Sequence, residues 1–192
     1  MESRVKVAGH PLHQMLIVFP LGLLSTAVVF DILYLVTDRV IWTLAAYYMI
    51  GAGVIGGLAA AVPGWLDWSA IPGGTRAKRI GLIHGVGNVI VLGLFILSWL
   101  LRRPNPEAPP TEAIVAGLVG FAIATVTGWL GGELVDRLGV GVHDGAHLDA
   151  PSSLSAVSAR GVPRGPVGEG DRRAYPPAAY GGVERRAAGS MR

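Results

Sequence analysis

The chain has no cysteine, which excludes a disulfide scaffold, a thiolate-ligated zinc or iron–sulfur centre and a thiol nucleophile. Charge is scarce as well. Only 15% of the residues are Asp, Glu, Lys or Arg, where soluble domains carry nearer a quarter, so there is too little polar side chain to clothe a water-soluble fold. Also missing are a Walker loop, a dinucleotide fingerprint, a His-Glu-x-x-His pair and a nucleophile elbow, so nothing points to hydrolysis or phosphoryl transfer. No nucleic-acid partner is expected.

What the 192 residues do contain is apolar: 51% belong to the hydrophobic set and mean hydropathy is +0.49. Four runs reach the roughly 20 residues that a helix needs to cross a bilayer: Leu12–Val36, Val40–Val62, Ile80–Leu101 and Ala113–Leu130. The first follows Arg4 and Lys6 as a signal peptide would, but it is too long for an h-region and no small-x-small cleavage site follows, so it reads as a retained span. Trp42 and Trp99 fall near one end of the spans and Trp65, Trp68 and Trp129 near the other, the interfacial levels that indoles prefer. The predicted fold is all-α: a four-transmembrane-helix bundle over residues 1–144, followed by a Gly/Pro/Arg-rich tail over 145–192.

Basic residues near the span ends set the direction. Arg4, Lys6, Arg76, Lys78, Arg79 and Arg137 lie on the side of the N-terminus, and Arg39, Arg102 and Arg103 on the other. This bias predicts a multi-pass protein of the inner membrane with both termini in the cytoplasm. No basic residue is expected inside a span; Arg102 and Arg103 read as the start of a Pro-rich outer loop.

Many of the 28 glycines are patterned. Ala116, Gly120, Ala124, Gly128 and Gly132 recur every fourth residue in span four, and Gly53, Gly57 and Ala61 do so in span two. Such stripes allow close helix packing in lipid. The ends of spans two and four also match, Gly64-Trp-Leu66 against Gly128-Trp-Leu130. Each hairpin opens with histidine, His10 and His13 in the first and His84 in the second. Two repeated hairpins would converge these histidines on the bundle axis at the cytoplasmic face.

Polar residues within spans are costly and therefore mark sites. Pro11 suits the first helical position, which makes His10 an N-cap and puts His13 one turn on. Pro20 should kink the span and free the carbonyl of Leu16. Asp31 lies about five turns past His13 and on the same face, either as a proton-relay acid or as a hydrogen-bonded structural aspartate. His84 and Asn88 share a face, with Gly81, Gly85 and Gly87 clearing room for a planar cofactor or for a neighbouring helix. Asp67 lies where span two leaves the membrane, near the histidines; Glu133, His143 and His147 are marginal candidates.

His10-Pro-Leu-His13, Phe19-Pro-Leu-Gly22 and Asp31, then Gly64-x-x-Asp67, His84-x-x-x-Asn88 and Leu134-Val…Gly139-Val-Gly-Val142, resemble in order the motifs of a bacterial membrane family catalogued as domain of unknown function 2231. The resemblance covers roughly residues 8–143. It implies four spans and no assigned activity, with relatives fused to or encoded beside redox domains. Where that family often reads His-Pro-x-His-Pro, Gln14 replaces the second proline.

Two functional readings follow. One is a non-catalytic accessory or scaffold subunit that packs into a larger membrane complex, redox complexes included, through its Gly/Ala helices and tail. The other is a small redox protein holding b-type haem or a metal ion between His13 and His84, with Asn88 and Asp67 supporting and His10 as a further metal ligand. The tail, residues 151–192, carries seven arginines against three acids, a net of +4, which leaves nine basic residues against ten acids in residues 1–150, a net of −1. Arg172, Arg173, Tyr175 and Tyr180 are its candidate docking residues for an acidic partner surface.

Overall fold

The computed structural model describes residues 1–148 and 150–156. The chain divides after Asp144, and the first unit contains four helices long and apolar enough to cross a membrane. A two-residue antiparallel pair opens it, β1 (Lys6–Val7) with β2 (His10–Pro11), turning through Ala8 and Gly9 at φ of 50° and 81°. Then come α1 (Leu12–Leu16), α2 (Val18–Thr37), α3 (Val40–Ala70), α4 (Arg76–Arg102) and α5 (Thr111–Gly132), and α5 runs on into a π-helical turn, Glu133–Arg137. Among the described residues of the second unit, Ala150 N donates to His147 O and Ser155 N to Ser152 O, closing local turns. The tail candidates Arg172, Arg173, Tyr175 and Tyr180 lie outside the described residues.

The helices differ from the sequence expectation mainly at their ends. α3 passes through Pro63 and continues to Ala70, so Gly64 to Asp67, beyond the apolar run that ends at Val62, are still helical. α4 begins at Arg76, capped by the Thr75 hydroxyl accepting from Lys78 N, and it holds Arg102 in its last turn. Hydropathy marks where lipid contact stops, whereas backbone hydrogen bonding carries a helix on into the interface. Pro20 acts as expected: it offers no N–H to the carbonyl of Leu16, and the helix breaks at Ile17 between α1 and α2. The ladder persists across the break through Ile17 N to His13 O and Leu21 N to Ile17 O, both 3.1 Å.

The main packing is α2 along α3 and α4 along α5, joined by α3 against α4 and α2 against α5. This leaves α2 and α4 on the diagonal. Leu24, Ala27, Val28, Ala46, Ile50, Val91 and Phe95 form the buried centre. Part of each glycine stripe serves that centre: a Cβ at Gly53 would sit 2.6 Å from Leu24, one at Gly57 2.5 Å from Leu92, and one at Gly120 3.1 Å from Phe95, whereas Gly128 and Gly132 meet nothing within 4 Å. Outward faces carry Val36, Ile55, Leu58, Val89 and Val126, exposed in the isolated chain and suited to acyl chains. Helices apolar on every side are what a lipid environment selects.

Candidate functional site

His13 is presented by α1, a single turn that a five-residue helix would not hold unaided. The β1–β2 turn supports it, with Leu12 N donating to Val5 O at 2.9 Å. The ring lies against α3, its Nδ1 2.8 Å from the carbonyl oxygen of Ala60. A carbonyl only accepts, so Nδ1 carries the proton and Nε2 keeps a lone pair. One turn further along α3, Gly64 opens the space: a Cβ there would lie 2.7 Å from two ring atoms of His13. This is a close approach that requires glycine.

His84 on α4 meets α5 in the same way. Its Nδ1 is 2.8 Å from the carbonyl oxygen of Thr127, and a Cβ on Gly131, one turn on, would come within 3.1 Å of the ring. Asn88 closes a small network. Its amide donates to the His84 carbonyl at 2.8 Å and lies 3.3 and 3.4 Å from the ring nitrogens, while its oxygen accepts from the Thr127 hydroxyl at 3.1 Å. The two imidazoles face each other with ring centres 6.5 Å apart and planes at 88°.

The structure thus brings His13, His84 and Asn88 together, and it places His10 and Asp67 differently from the expectation. Pro11 rather than His10 is the N-cap, and His10 is exposed on β2, paired with Val7. Asp67 does not support the imidazoles; it clamps the N-terminal segment, accepting from Ser3 Oγ at 2.7 Å, Arg4 N at 2.6 Å and Val5 N at 3.4 Å. Among the described residues no group of three or more His, Asp and Glu side chains is placed to hold a metal ion. Of the marginal residues, Glu133 pairs with Arg76 at 2.6 Å and His143 lies 3.4 Å from Glu2.

Of the glycines flanking His84, two admit a neighbouring helix and the third is exposed on the outer face. Trp68 fills the space over Gly81, and the Thr127 methyl fills that over Gly87, so both admit a neighbouring helix; Gly85 has nothing within 4 Å.

Arg102 is the residue that the sequence reading missed. It is wholly buried, as is Asp31, and its guanidinium grips that carboxylate with two bonds of 2.7 Å. Its Nε reaches Ser98 Oγ at 3.3 Å, and Ser98 in turn donates to Ala113 O at 2.6 Å. A bidentate fork of this kind is what lets both charges leave water. The signal was available: Arg102 follows His84 at the same interval at which Asp31 follows His13.

The internal repeat is present in these contacts, in a different register from the Gly-Trp-Leu match. Ala60 and Gly64 hold His13 as Thr127 and Gly131 hold His84, and Gly53 receives Leu24 and Leu23 as Gly120 receives Phe95 and Leu94. In the second helices Gly53, Ala60 and Gly64 thus correspond to Gly120, Thr127 and Gly131, and in the first helices His13 and Leu24 correspond to His84 and Phe95. The Gly-Trp-Leu register instead pairs Trp65 with Trp129, two exposed indoles whose placement answers to the interface rather than to the repeat.

No curated protein and no solved structure matches the chain. A family described as predicted membrane protein, DUF2231, matches residues 9–144, the unit that holds both polar pairs. The chain is a member of the DUF2231 family of membrane proteins.

Proposed function

We propose that this protein is a membrane redox protein that ligates a b-type haem iron between His13 and His84. The observation that carries the reading is the pair of Nδ1–carbonyl bonds, to Ala60 and to Thr127. Ligating histidines characteristically spend their second nitrogen in this way, which fixes the tautomer and leaves the other nitrogen to the metal. The spacing also fits. Metal–nitrogen bonds of about 2 Å on each side place two imidazole centres roughly 6 Å apart, against 6.5 Å here. Two protein nitrogens leave a bare zinc or iron under-ligated, whereas a porphyrin brings the remaining four donors and supplies one-electron chemistry.

The accessory-subunit reading relied on the small-residue stripes as surfaces for a partner. Gly53, Gly57 and Gly120 are filled from within by Leu24, Leu92 and Phe95, whereas Gly128 and Gly132 of the span-four stripe stay open to a partner. The basic residues at the span ends favour an inner-membrane placement with both termini in the cytoplasm and the His pair on that side.

The test is the absorption spectrum and metal content of the purified full chain. A Soret band with low-spin bis-imidazole character, lost in His13→Ala and in His84→Ala, is expected. A colourless protein that takes up no added haemin and carries no stoichiometric metal overturns the proposal and favours the accessory role.

A further inference from the structure

α2 and α4 stand diagonally across the bundle and are not among its closely packed helix pairs. Two polar side-chain meetings bridge that diagonal. At the end near the N-terminus His13, on α1 and tied to the head of α2 by the backbone bonds through Ile17, meets His84 edge-on, and at the far end Asp31 and Arg102 lock together. On both sides of the diagonal the two meetings stand about five turns apart, which is about 27 Å of helix. Between them lie buried Leu24 and Val28 on one side and Val91 and Phe95 on the other, without a polar contact.

α4 is one unbroken helix from Arg76 to Arg102. If α4 slid or turned against α2, Arg102 and His84 would be displaced together. The far pair tolerates little of this: the fork needs both of its 2.7 Å bonds, and Ser98, bonded to α5 through Ala113 O, fixes the Nε side. A register that parted them would leave two unpaired charges at sites almost without solvent contact, a penalty that apolar packing alone does not impose. The near pair has no such restoring force, because each imidazole is bonded to its own hairpin and not to the other ring.

We propose that the buried Asp31–Arg102 ion pair is a positioning clamp, holding the two hairpins in the register at which His13 and His84 meet at the opposite end. The functional meaning of that register rests on the ligand-pair reading above; the clamp itself does not. Asp31 and Arg102 are positioning residues that act through the helices.

The chain's lack of cysteine allows a ligand-free test. Nitroxide labels on Val18→Cys and Val86→Cys, both at exposed positions, report the α2–α4 distance by pulsed electron resonance in full-length protein in nanodiscs. The parent should give one narrow distance. Asp31→Leu with Arg102→Met removes both charges, so no lone charge prevents folding, and should broaden or shift the distribution. The reversed pair, Asp31→Arg with Arg102→Asp, should restore it, whereas Arg102→Lys, which keeps the charge without the fork, should not. An apolar variant indistinguishable from the parent overturns the clamp. With haemin added, the same variants should change the low-spin resonance pattern in parallel. If the parent binds no haemin, the ligation reading is lost while the distance measurement still decides the clamp.

Discussion

Asp31 and Arg102 occupy the same position in two copies of one hairpin, each at the same interval along the chain from its histidine, His13 or His84. Residues at equivalent positions of first helices meet on the diagonal, so each such position must tolerate its counterpart. Two neutral imidazoles do so readily. Two aspartates or two arginines would repel in a site of this burial, whereas opposite charges pair. The polar design of the bundle is then a single axis, with a like pair at one end and an unlike pair at the other.

Arg102→Ala should be the most destabilising single change in the bundle. It strands the Asp31 carboxylate, which is 1% exposed, and losing one partner of a buried pair costs about 3–5 kcal/mol. The apolar double replacement Asp31→Leu with Arg102→Met should recover most of that loss. Thermal unfolding of the three proteins in the same detergent measures both effects. A single variant that melts with the parent would show that the charge had found another partner.

The two glycine sockets should respond unequally. A methyl group at Gly64 would lie 2.7 Å from the His13 ring, and one at Gly131 3.1 Å from His84. Gly64→Ala must therefore displace the ring or the helix, at a cost of about 1–3 kcal/mol, while Gly131→Ala needs only a slight adjustment. Nitrogen-15 spectra of the imidazoles should show the His13 Nδ1–H bond lost in the first variant and the His84 bond retained in the second. Equal responses would contradict the packing at Gly64.

Much of this was legible in the sequence. Long apolar runs show themselves because a bilayer imposes both a length and a composition, so four spans and their turns were readable. His13, His84, Asp31 and Asn88 stood out because polar groups inside such runs are rare. Arg102 did not, because it lies where hydropathy falls off and sits beside Arg103 and Pro104, which look like a loop; only the recurrence of the interval from histidine to charge sets it apart. Asp67 misled for a different reason. Its partners include the backbone amides of Arg4 and Val5, and any sequence supplies backbone amides. The repeat was visible but out of register, since indoles at an interface match each other whatever the helices do.

Asp67→Ala should free the N-terminal segment without unfolding the spans. It removes the acceptor for the amides of Arg4 and Val5 and for the hydroxyl of buried Ser3; Ser3 Oγ keeps Val5 O and Val5 N keeps Ser3 Oγ, so the loss falls mainly on the Arg4 amide, at about 1 kcal/mol. Hydrogen exchange should rise over residues 3–7 and over Leu12, whose amide bonds to Val5 O, with the α3 and α4 interiors unchanged. If exchange rises across the whole bundle instead, the segment is integral to the fold rather than clamped beneath it.

Asn88→Ile should be tolerated by the fold and felt by the histidine. In the repeat, Asn88 corresponds to Ile17, so the variant converts the second socket into a likeness of the first, where His13 is held by its carbonyl bond and a glycine. The His84 Nδ1–H to Thr127 O bond survives, while the Asn88 contacts to the ring, to the His84 carbonyl and to the Thr127 hydroxyl are lost. Thr127 keeps an acceptor in Ala124 O at 3.1 Å, so no hydroxyl is stranded and stability should fall by only about 1 kcal/mol. The imidazole should become more mobile, visible as line broadening of its nitrogen signals. Loss of a residue that orients a ligating histidine typically weakens the metal site about 10- to 100-fold, so haemin affinity should drop within that range while the melting temperature moves by a few degrees. A variant that loses stability and affinity together would make Asn88 a packing residue; one that loses neither would leave its network without a part in the site.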